Sequence, residues 1–446
     1  MSNYPSPSAW ANYVSRRGVL KGGAAAGGLV ALPTILAACG DDDDSDAGSG
    51  GGFDGTIGSA SGTLKIGSRL SNPAPEAGLA AVAAAFPNEN VTIEIDTTDS
   101  NTFQENINTI LQAQESDIIA WFAGFRNRFF ADQGLVADIS DVWDAVSGLG
   151  EGFKAASTAS DGKQYFLPTT YYTWAVNYNK NVFEENGWSE PTTKDEMLSL
   201  ADGMAAAGLT PFGYANDGNW PLMGTFDALN LRVNGYDYHV SLMAGEESWT
   251  SDEVRAVFTE WAELLPYAQE GANGRTWEEA AVDLEEGRTG MFLLGTFAAS
   301  AMGDGSVMDF FNFPEYDSAI GAASLDAPID GFQMLPNAEN EAAAKEFLLW
   351  LSQAESQDIY ATEDASVVAS NSGADTSVFT DLQKKSAELA NAATGISQFL
   401  DRDTIPAFAN ECGTLFAQFV EDPSSIDEGL ADLEEKKVVI FEEFNS

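Results

Sequence analysis

YFLPTTYYTWAVNYNKNVFEENGW, residues 165–188, is the stretch that decides the fold and from which the rest of the chain is best interpreted. Pro168 predicts the end of a strand, because proline has no N–H to donate to a sheet. Tyr171, Tyr172 and Trp174 then place three aromatic rings within four positions. An apolar strand-like run and a helix are predicted to follow. Rings at this density indicate either a packed core or a ligand-binding platform.

The composition indicates a large, acidic, folded protein. The chain has 446 residues, of which 44% are hydrophobic, and this is enough for two lobes of ordinary domain size. Its 69 acidic and 21 basic residues give a formal net charge of −48. Such a charge disfavours nucleic acid and anionic membrane surfaces as partners and favours solubility. Two explanations of the acidic excess stay open. It serves general surface solvation, or it is an adaptation to high salt, where the repulsion between like charges is screened.

Cysteine and histidine are too few for a disulfide framework or a Cys/His metal site. The chain has two cysteines, Cys39 and Cys412, and one histidine, His239. Neither a metal nor another cofactor is therefore expected. Cys412 is predicted to be a small buried apolar residue, and His239 is predicted to have a structural or surface role rather than a catalytic one.

Residues 1–38 have the features of a twin-arginine lipoprotein signal peptide. The run SRRGVLK at 15–21 carries the twin arginine, and LAAC at 36–39 matches a lipobox, which predicts a diacylated Cys39. The alternative is a transmembrane helix, which the many glycines and a proline disfavour. Residues 39–62, rich in Asp, Gly and Ser, are predicted to be a flexible tether. We therefore expect an exported protein that is anchored to the outside of the cytoplasmic membrane through Cys39.

From Thr63 the hydrophobic pattern switches between strand and helix periods. Apolar alternation near residues 64–66, 91–95 and 117–121 predicts three strands, with helical stripes between them. This β-α-β-α-β order predicts a mostly parallel sheet with right-handed crossovers. Ligands bind beyond the carboxyl ends of such strands, so Trp121 is a candidate binding residue. Arg126 is a second candidate, and an exposed structural arginine is the alternative.

Helix starts and one polar loop can be placed further along the chain. The spacing S/T-x-x-E, which satisfies two backbone amides at a helix start, occurs at Thr193, Thr250, Thr276 and Ser425. The loop ANDGNWP at 215–221 has a composition that often carries function. Asn219 and Trp220 are therefore candidate binding residues, with a core position as the alternative for Trp220.

The pattern around residue 178 resembles the family 1 extracellular solute-binding proteins of carbohydrate ABC importers, which are maltose-binding-protein-like. The resemblance rests on a proline, the aromatic cluster, Tyr178-Asn179-Lys180, Phe183, Gly187 and Pro191-Thr192-Thr193. It extends over essentially Thr63 to Phe444 and is strongest at 165–200 and 340–358.

The resemblance implies a two-lobe α/β fold, the type II periplasmic-binding-protein-like fold, with a hinge and an interlobe cleft. Lobe 1 is expected at 63–168, completed by about 318–366. Lobe 2 is expected at 173–317, completed by about 367–446. In this family residues 165–188 contain the first passage of the chain between two lobes that close on a sugar.

The resemblance also implies further cleft residues. Tyr171, Tyr172 and Trp174 lie at the first passage between the lobes. A family tryptophan two residues after a glycine corresponds to Phe297 in Gly295-Thr296-Phe297, which keeps a stacking face but lacks the indole N–H. The remaining candidates, for which a plain turn or a local cap is the alternative, are Asp330, Phe332 and Asp401.

These observations favour a carbohydrate receptor that captures a mono- or oligosaccharide and delivers it to the permease subunits of an ABC transporter. Sugar C–H faces pack on aromatic rings, and hydroxyl groups bond to carboxylates, amides and arginine. One alternative is the same fold with a polyamine or another small solute. The other is an exported glycoside hydrolase, which requires two carboxyl groups at a defined separation. We expect a monomeric binding protein without enzymatic activity, with a sugar ligand, permease partners and a lipid-mediated membrane contact.

Overall fold

A computed structural model describes residues 53–303 and 305–444. Its strands are β1 (Gly62–Ser68), β2 (Val91–Thr97), β3 (Ile118–Phe122), β4 (Leu167–Tyr171), β5 (Trp174–Asn179), β6 (Thr210–Gly213), β7 (Thr289–Gly295), β8 (Met308–Phe311), β9 (Ser324–Asp326), β10 (Ile329–Met334), β11 (Val368–Ala369) and β12 (Gly395–Ser397). Its α-helices are α1 (Pro73–Ala84), α2 (Ser100–Glu105), α3 (Ile107–Ala113), α4 (Phe125–Asp132), α5 (Ser140–Trp143), α6 (Glu151–Ala156), α7 (Lys180–Asn186), α8 (Lys194–Ala207), α9 (Pro221–Val233), α10 (Tyr236–Met243), α11 (Asp252–Leu264), α12 (Trp277–Glu285), α13 (Glu341–Leu351), α14 (Ala354–Glu363), α15 (Asp381–Ala392), α16 (Leu400–Asp403), α17 (Pro406–Glu421) and α18 (Ile426–Phe444). Short 3₁₀ helices lie at Leu265–Tyr267, Ala272–Gly274, Thr296–Ala301, Gly305–Val307 and Pro423–Ser425.

The predicted signal peptide, residues 1–38, and the predicted lipidation site Cys39 lie outside the described residues. Among the helices that the structure describes, none combines the length and the apolar character that a membrane span requires.

A six-stranded sheet forms the centre of the first lobe, in the order β11-β4-β10-β3-β1-β2. Strand β1 pairs in parallel with β2 and β3, as the β-α-β-α-β pattern predicts. Strands β10, β4 and β11 pair antiparallel, so the prediction of a mostly parallel sheet is wrong. The antiparallel half is made by strands that flank the passages between the lobes, which the local hydrophobic pattern does not report.

A four-stranded sheet, ordered β6-β7-β5-β8, forms the centre of the second lobe. Helices α9, α11 and α17 pack together beside it around a continuous set of buried aromatic rings. The ring of Phe226 stacks on that of Phe416 at 5.1 Å, and Phe258 stacks on Trp261 at 5.8 Å. Burial of such large apolar side chains stabilises this lobe and fixes the position of α9.

The chain passes between the two sheets three times. The first passage is the two-residue connection from β4 to β5, the second leads from β8 to β10, and the third leads from β11 towards α16. Strands β9 and β12 of the later passages pair in parallel at the junction. The buried guanidinium of Arg232 on α9 holds the second passage, because it donates to the carbonyl oxygens of Phe313 at 2.7 Å and Ser324 at 2.9 Å. The residue limits given above for the two lobes stay a prediction.

Pro168 does not end a strand, contrary to the prediction, because β4 runs through it from Leu167 to Tyr171. Two features make room for a residue without an N–H. Strand β11 reaches β4 only at Thr170 and Tyr171. On the other side, the register with β10 shifts between Asp330 and Gly331.

Two of the four predicted capping boxes are confirmed, those at Thr193 and Thr276. The other two are wrong. Ser251, not Thr250, is the N-cap of α11, because its hydroxyl accepts the amide of the residue three positions later. The hydroxyl of Ser425 instead donates to the carbonyl three residues earlier, which closes a 3₁₀ turn before α18.

Residues 53–62, assigned to the flexible tether from their composition, dock on the first lobe. The carboxylate of Glu346 on α13 accepts the backbone amides of residues 58, 59 and 60, each at 2.8 Å, and the amide nitrogen of Asn88 at 2.8 Å. Burial acts to raise the pKa of Glu346, but these hydrogen bonds outweigh it and lower the pKa below its usual value. Distant side chains, chiefly the Glu346 carboxylate together with Asp141 and Asn340, therefore order a segment whose composition indicates a tether.

Candidate functional site

A pocket lies between the two lobes, where β1 and β3 end and where the chain crosses from β4 to β5. Its cavity volume is about 130 Å³, and its mouth opens to solvent. The position agrees with the rule that ligands bind beyond the carboxyl ends of parallel strands. The first lobe contributes mainly polar side chains, and most of the aromatic rings come from the second lobe and the first passage.

The aromatic wall consists of rings that hold one another mostly edge to face. The ring of Phe297 contacts those of Tyr172 at 4.9 Å and Trp277 at 5.0 Å, and the ring of Trp174 contacts that of Phe399 at 4.6 Å. Trp174 is only 3% exposed and packs on the helix α9 as well as lining the pocket. Rings fixed in this way present their faces to a ligand at little cost in conformational entropy.

Two arginines and one aspartate form the polar floor of the pocket. Asp330 Oδ1 lies 2.9 Å from Arg69 Nη2 and 3.1 Å from Arg402 Nη1. Arg402 Nη2 also donates to the hydroxyl of Tyr172 at 2.7 Å. The guanidinium carbons of Arg69 and Arg402 lie 3.8 and 4.0 Å from the ring centre of Phe122, so both cations contact an aromatic ring. The arrangement offers charged donors and an acceptor close to apolar ring faces.

A second ion pair supports the floor from behind. Arg126 Nη2 lies 3.3 Å from Asp401 Oδ2, and Arg126 Nη1 donates to Gln104 Oε1 at 2.9 Å. Burial lowers the pKa of Arg126, while the adjacent Asp401 carboxylate acts in the opposite direction. Burial also acts to lower the pKa of Arg402, but Tyr172 and the surrounding carboxylates raise it overall. Arg402 therefore keeps its charge in the pocket.

Buried acidic side chains lie behind Arg402. Burial raises the pKa of Asp403 to about 6. Burial, followed by repulsion from neighbouring carboxylates, raises the pKa of Asp227 and of Asp326 well above the usual value. Asp227 and Asp326 therefore contribute less negative charge beneath the pocket near neutral pH than ordinary carboxyl groups, whereas Asp403, with a pKa of about 6, is mostly charged there.

Cys412 is buried in the second lobe, as predicted, and His239 is buried there as well, which leaves the structural role of the two that were expected. Burial lowers the pKa of His239 to about 3, and its Nδ1 lies 3.0 Å from the side-chain nitrogen of Asn230. A neutral buried imidazole of this kind fixes helix packing. Within residues 53–303 and 305–444, no group of three or more His, Cys, Asp or Glu side chains is arranged to hold a metal ion.

The structure brings seven of the eleven sequence-predicted site residues together around the pocket. They are Tyr172, Trp174, Trp220, Phe297, Asp330, Phe332 and Asp401. Their predicted role as ligand contacts stays a prediction.

The other four candidates do not line the pocket. Trp121 and Tyr171 point to the opposite face of the first sheet, where they belong to a separate apolar cluster. Successive residues of a strand alternate between the two faces, so the neighbours of these two residues face the pocket instead. Arg126 stands behind Asp401, and Asn219 is exposed on the loop before α9.

Several lining residues were missed by the sequence analysis. Phe122 is the neighbour of Trp121, and strand alternation is the signal that distinguishes the two. Arg402 directly follows Asp401, the one residue of this turn that was predicted to bind the ligand. No local signal marks the remaining ones, which are Arg69, Asn101, Gln104, Trp277 and Phe399.

Both the sequence and the structure of this chain are similar to those of known proteins. The family model of the bacterial extracellular solute-binding proteins matches residues 71–358. An uncharacterized ABC transporter extracellular-binding protein of Pyrococcus horikoshii is 24% identical over 264 residues, 56% of this chain and 57% of that protein. A probable sugar-binding periplasmic protein of Brucella melitensis is 28% identical over 188 residues, 39% of this chain and 42% of that protein. The chain thus spans about half the length of the curated relatives it matches.

The solved structure of the bacterial solute receptor AcbH is similar over a larger part of the chain. It is 39% identical, with a TM-score of 0.83, and the match covers 85% of this chain and 99% of that one. AcbH is described as having an exclusive preference for β-D-galactopyranose. The expected α/β fold of two lobes around a cleft is confirmed by this likeness.

Proposed function

Because this chain belongs to the bacterial extracellular solute-binding proteins, we propose that it captures a mono- or oligosaccharide between its lobes. In this proposal the closed lobes then present the sugar to the permease of an ABC transporter. Closure of two lobes around a ligand is a common form of domain movement. The protein acts by binding alone, and no covalent step takes place.

The observation that carries the proposal is the composition of the interlobe pocket. One wall consists of aromatic rings from Tyr172, Trp174 and Phe297, which suit the C–H face of a pyranose. The floor supplies guanidinium donors from Arg69 and Arg402 and the acceptor Asp330, which suit hydroxyl groups. A sugar ring needs both surfaces at once.

A single hexopyranose is the first candidate ligand. The solved receptor that shares 39% of its residues with this chain is described as preferring β-D-galactopyranose. We therefore expect galactose and its epimers to be the first ligands to test, followed by longer saccharides.

The place of action in this proposal is the outer side of the cytoplasmic membrane. The twin-arginine signal and lipobox at residues 15–39 support export and attachment through Cys39. We propose further that the protein acts as a monomer, with the permease subunits as its macromolecular partners.

A polyamine fits the same pocket less well. Ammonium groups require carboxylates without other partners, whereas Asp330 is paired with Arg69 and Arg402 and Asp401 with Arg126. The pocket is also lined by the carboxyl groups of Asp364 and Glu278. Burial raises the pKa of both above the usual value, which disfavours the charged form that an ammonium group requires.

The proposal is tested by thermal unfolding of the purified protein with a panel of monosaccharides, oligosaccharides, polyamines and phosphates. A ligand at a thousand times its Kd adds about 4 kcal/mol of stability. We expect a galactose-type sugar to raise the midpoint. Titration calorimetry of Arg69→Met should then show weaker binding. Arg255→Met is the matched control, because Arg255 pairs with Asp427 on the surface of the second lobe.

A raised midpoint with a polyamine and none with any sugar would refute the sugar assignment. Turnover of a nitrophenyl glycoside by the purified protein would refute the assignment of binding without catalysis.

A further inference from the structure

A hydrogen bond joins the two lobes at the mouth of the pocket. The indole Nε1 of Trp220 donates to Oδ1 of Asn101 at 3.2 Å. Asn101 lies on α2, between two strands of the first sheet, and Trp220 lies between β6 of the second sheet and α9. Helix α1 of the first lobe also meets the 3₁₀ helix Thr296–Ala301 of the second. The walls of the pocket therefore touch at this point in the structure.

The loop before α9 is shaped to hold this indole. Gly218 and Asn219 have φ values of +83° and +61°, and Asn219 is one of two non-glycine residues with positive φ in the described part of the chain. Left-handed backbone at a non-glycine residue is uncommon and marks a position that the surroundings enforce. The loop is anchored through Asn216, whose side-chain nitrogen donates to Asn273 at 2.9 Å.

The space opposite the loop is equally restricted. A methyl group built at Gly218 would lie 3.2 Å from the indole of Trp220 and 3.4 Å from the side-chain nitrogen of Asn101. The two lobes thus approach each other closely around this hydrogen bond.

A second side chain of α2 connects with the junction between the lobes. Gln104 is three residues after Asn101 and therefore lies on the same face of the helix. Its Oε1 accepts from Arg126 at 2.9 Å, and Arg126 pairs with Asp401. Helix α2 thus carries two amide side chains that line the pocket. Asn101 is hydrogen-bonded to the second lobe, and Gln104 is linked through Arg126 to the junction between the lobes.

We propose that Asn101 and Trp220 form a latch that stabilises the closed state of the lobes. In the open state the indole N–H and the amide oxygen bond to water, and closure exchanges these bonds for the direct one. The latch is a positioning device: the bond itself touches no ligand and slows release, while the face of the Trp220 ring stays a predicted ligand contact. This inference rests on the proposed function, since it assigns to the pair a role in retaining the captured solute.

The expected effect is modest and measurable. A neutral hydrogen bond of this type contributes a net 0.5–1.5 kcal/mol to the closed state, so its loss should weaken binding roughly 2- to 10-fold. The weakening should come from a faster dissociation rate and should be the same for every sugar that binds.

Two single variants, the double variant that combines them and one control test the latch. Asn101→Ala removes the acceptor, and Trp220→Phe keeps an aromatic ring but removes the N–H. Asn106→Ala is the matched control, because Asn106 follows the last residue of the same helix but bonds within its own lobe, to the carbonyl of Thr102 at 2.8 Å. The readouts are sugar dissociation rates by stopped flow and the radius of gyration by small-angle X-ray scattering, each with and without sugar.

The latch is supported if both variants release each sugar faster by the same factor and the double variant adds nothing beyond the single ones. It is overturned if Asn101→Ala changes the order of preference among sugars, because Asn101 would then be a ligand contact. Unchanged release rates in both variants also overturn it.

The scattering measurement separates the latch from the proposed function. If no sugar binds the wild-type protein, the proposed function fails, and the latch is then judged on the ligand-free radius of gyration alone. An increase in Asn101→Ala and Trp220→Phe, but not in Asn106→Ala, supports the latch, and no increase overturns it.

Discussion

Replacing Gly224 by alanine is the sharpest test of how the aromatic wall is held. Gly224 lies inside α9 directly against the indole of Trp174. A Cβ atom at this position would lie 2.1 Å from Cε2, 2.2 Å from Cζ2 and 2.3 Å from Nε1 of that ring. Carbon atoms in contact lie about 3.5–4.0 Å apart, so the indole must move by on the order of 1 Å. The ring borders Phe399 and Phe297, and the open space next to it is the pocket.

The expected size follows from two opposing effects. Alanine in a helix interior gains about 1 kcal/mol over glycine, whereas overpacking a core costs about 1–3 kcal/mol. We expect Gly224→Ala to lose about 1 kcal/mol of stability and to weaken sugar binding about thirtyfold or more, because displacing a buried anchor of a binding site costs about 2 kcal/mol or more.

A matched control separates these effects. Gly203→Ala in α8 meets its nearest atom at 3.7 Å, an ordinary contact with Trp188, and should gain about 0.5–1 kcal/mol. Urea unfolding and titration calorimetry measure stability and binding for both variants. Equal gains in stability for the two variants, with sugar affinity unchanged in Gly224→Ala, would refute the reasoning.

Three further predictions concern charged groups. Asp403→Asn tests a buried acid whose pKa is raised by burial from 3.8 to about 6. Between these pH values the native wild-type protein keeps a proton that the unfolded chain has lost. The stability of the wild type therefore falls as pH rises from 3.8 to about 6. The free energy of unfolding of Asp403→Asn should therefore rise relative to that of wild type, by up to about 3 kcal/mol above pH 6 and by nothing below pH 4. Urea unfolding at pH 4–8 measures this difference, and a difference that stays constant with pH contradicts the prediction. Glu346→Gln should lose about 2–4 kcal/mol at pH 7, because an amide cannot accept all the donors of residues 58–60. Since the folded pKa of Glu346 is lowered, this difference should disappear as pH falls through that pKa, and a variant as stable as wild type at pH 7 would show that the docking contributes nothing. Lys385→Met removes two partly exposed ion pairs, with Glu190 at 2.6 Å and with Asp309 at 3.0 Å. Because each such pair contributes about 1 kcal/mol or less, the loss of stability should stay below about 2 kcal/mol and shrink in high salt; a salt-independent loss would be inconsistent with screened pairs.

The sequence was sufficient for elements that depend on local patterns. The first three strands, the strand β5 and the capped helices at Thr193 and Thr276 all follow from period and capping chemistry. It was insufficient where partners are distant in the chain. The antiparallel half of the first sheet is set by passages between the lobes, and the docking of residues 53–62 is set chiefly by a carboxylate almost three hundred positions away.

The candidate site shows the same division. The crossing at Tyr172 and Trp174 could be found because its rings are adjacent in sequence. Trp121 was chosen over Phe122 although alternation along a strand allows only one of them to face the pocket. Arg69 and Arg402 are 333 positions apart and converge on Asp330 and on the ring of Phe122, so no spacing in the sequence could have paired them.

This convergence links ligand chemistry to lobe closure. Asp330 lies on the first sheet, whereas Arg402 follows the last passage of the chain and contacts Tyr172 at the first one. Charges that leave water are stable only when their remaining hydrogen-bonding groups are satisfied. A polyhydroxyl ligand supplies such bonds as water leaves the closing pocket, while an apolar ligand of the same shape fills the aromatic wall but leaves the guanidinium and carboxylate groups incompletely bonded. The pocket therefore favours closure around ligands that are apolar on one face and rich in hydroxyl groups at the edge, which is the chemistry of a pyranose.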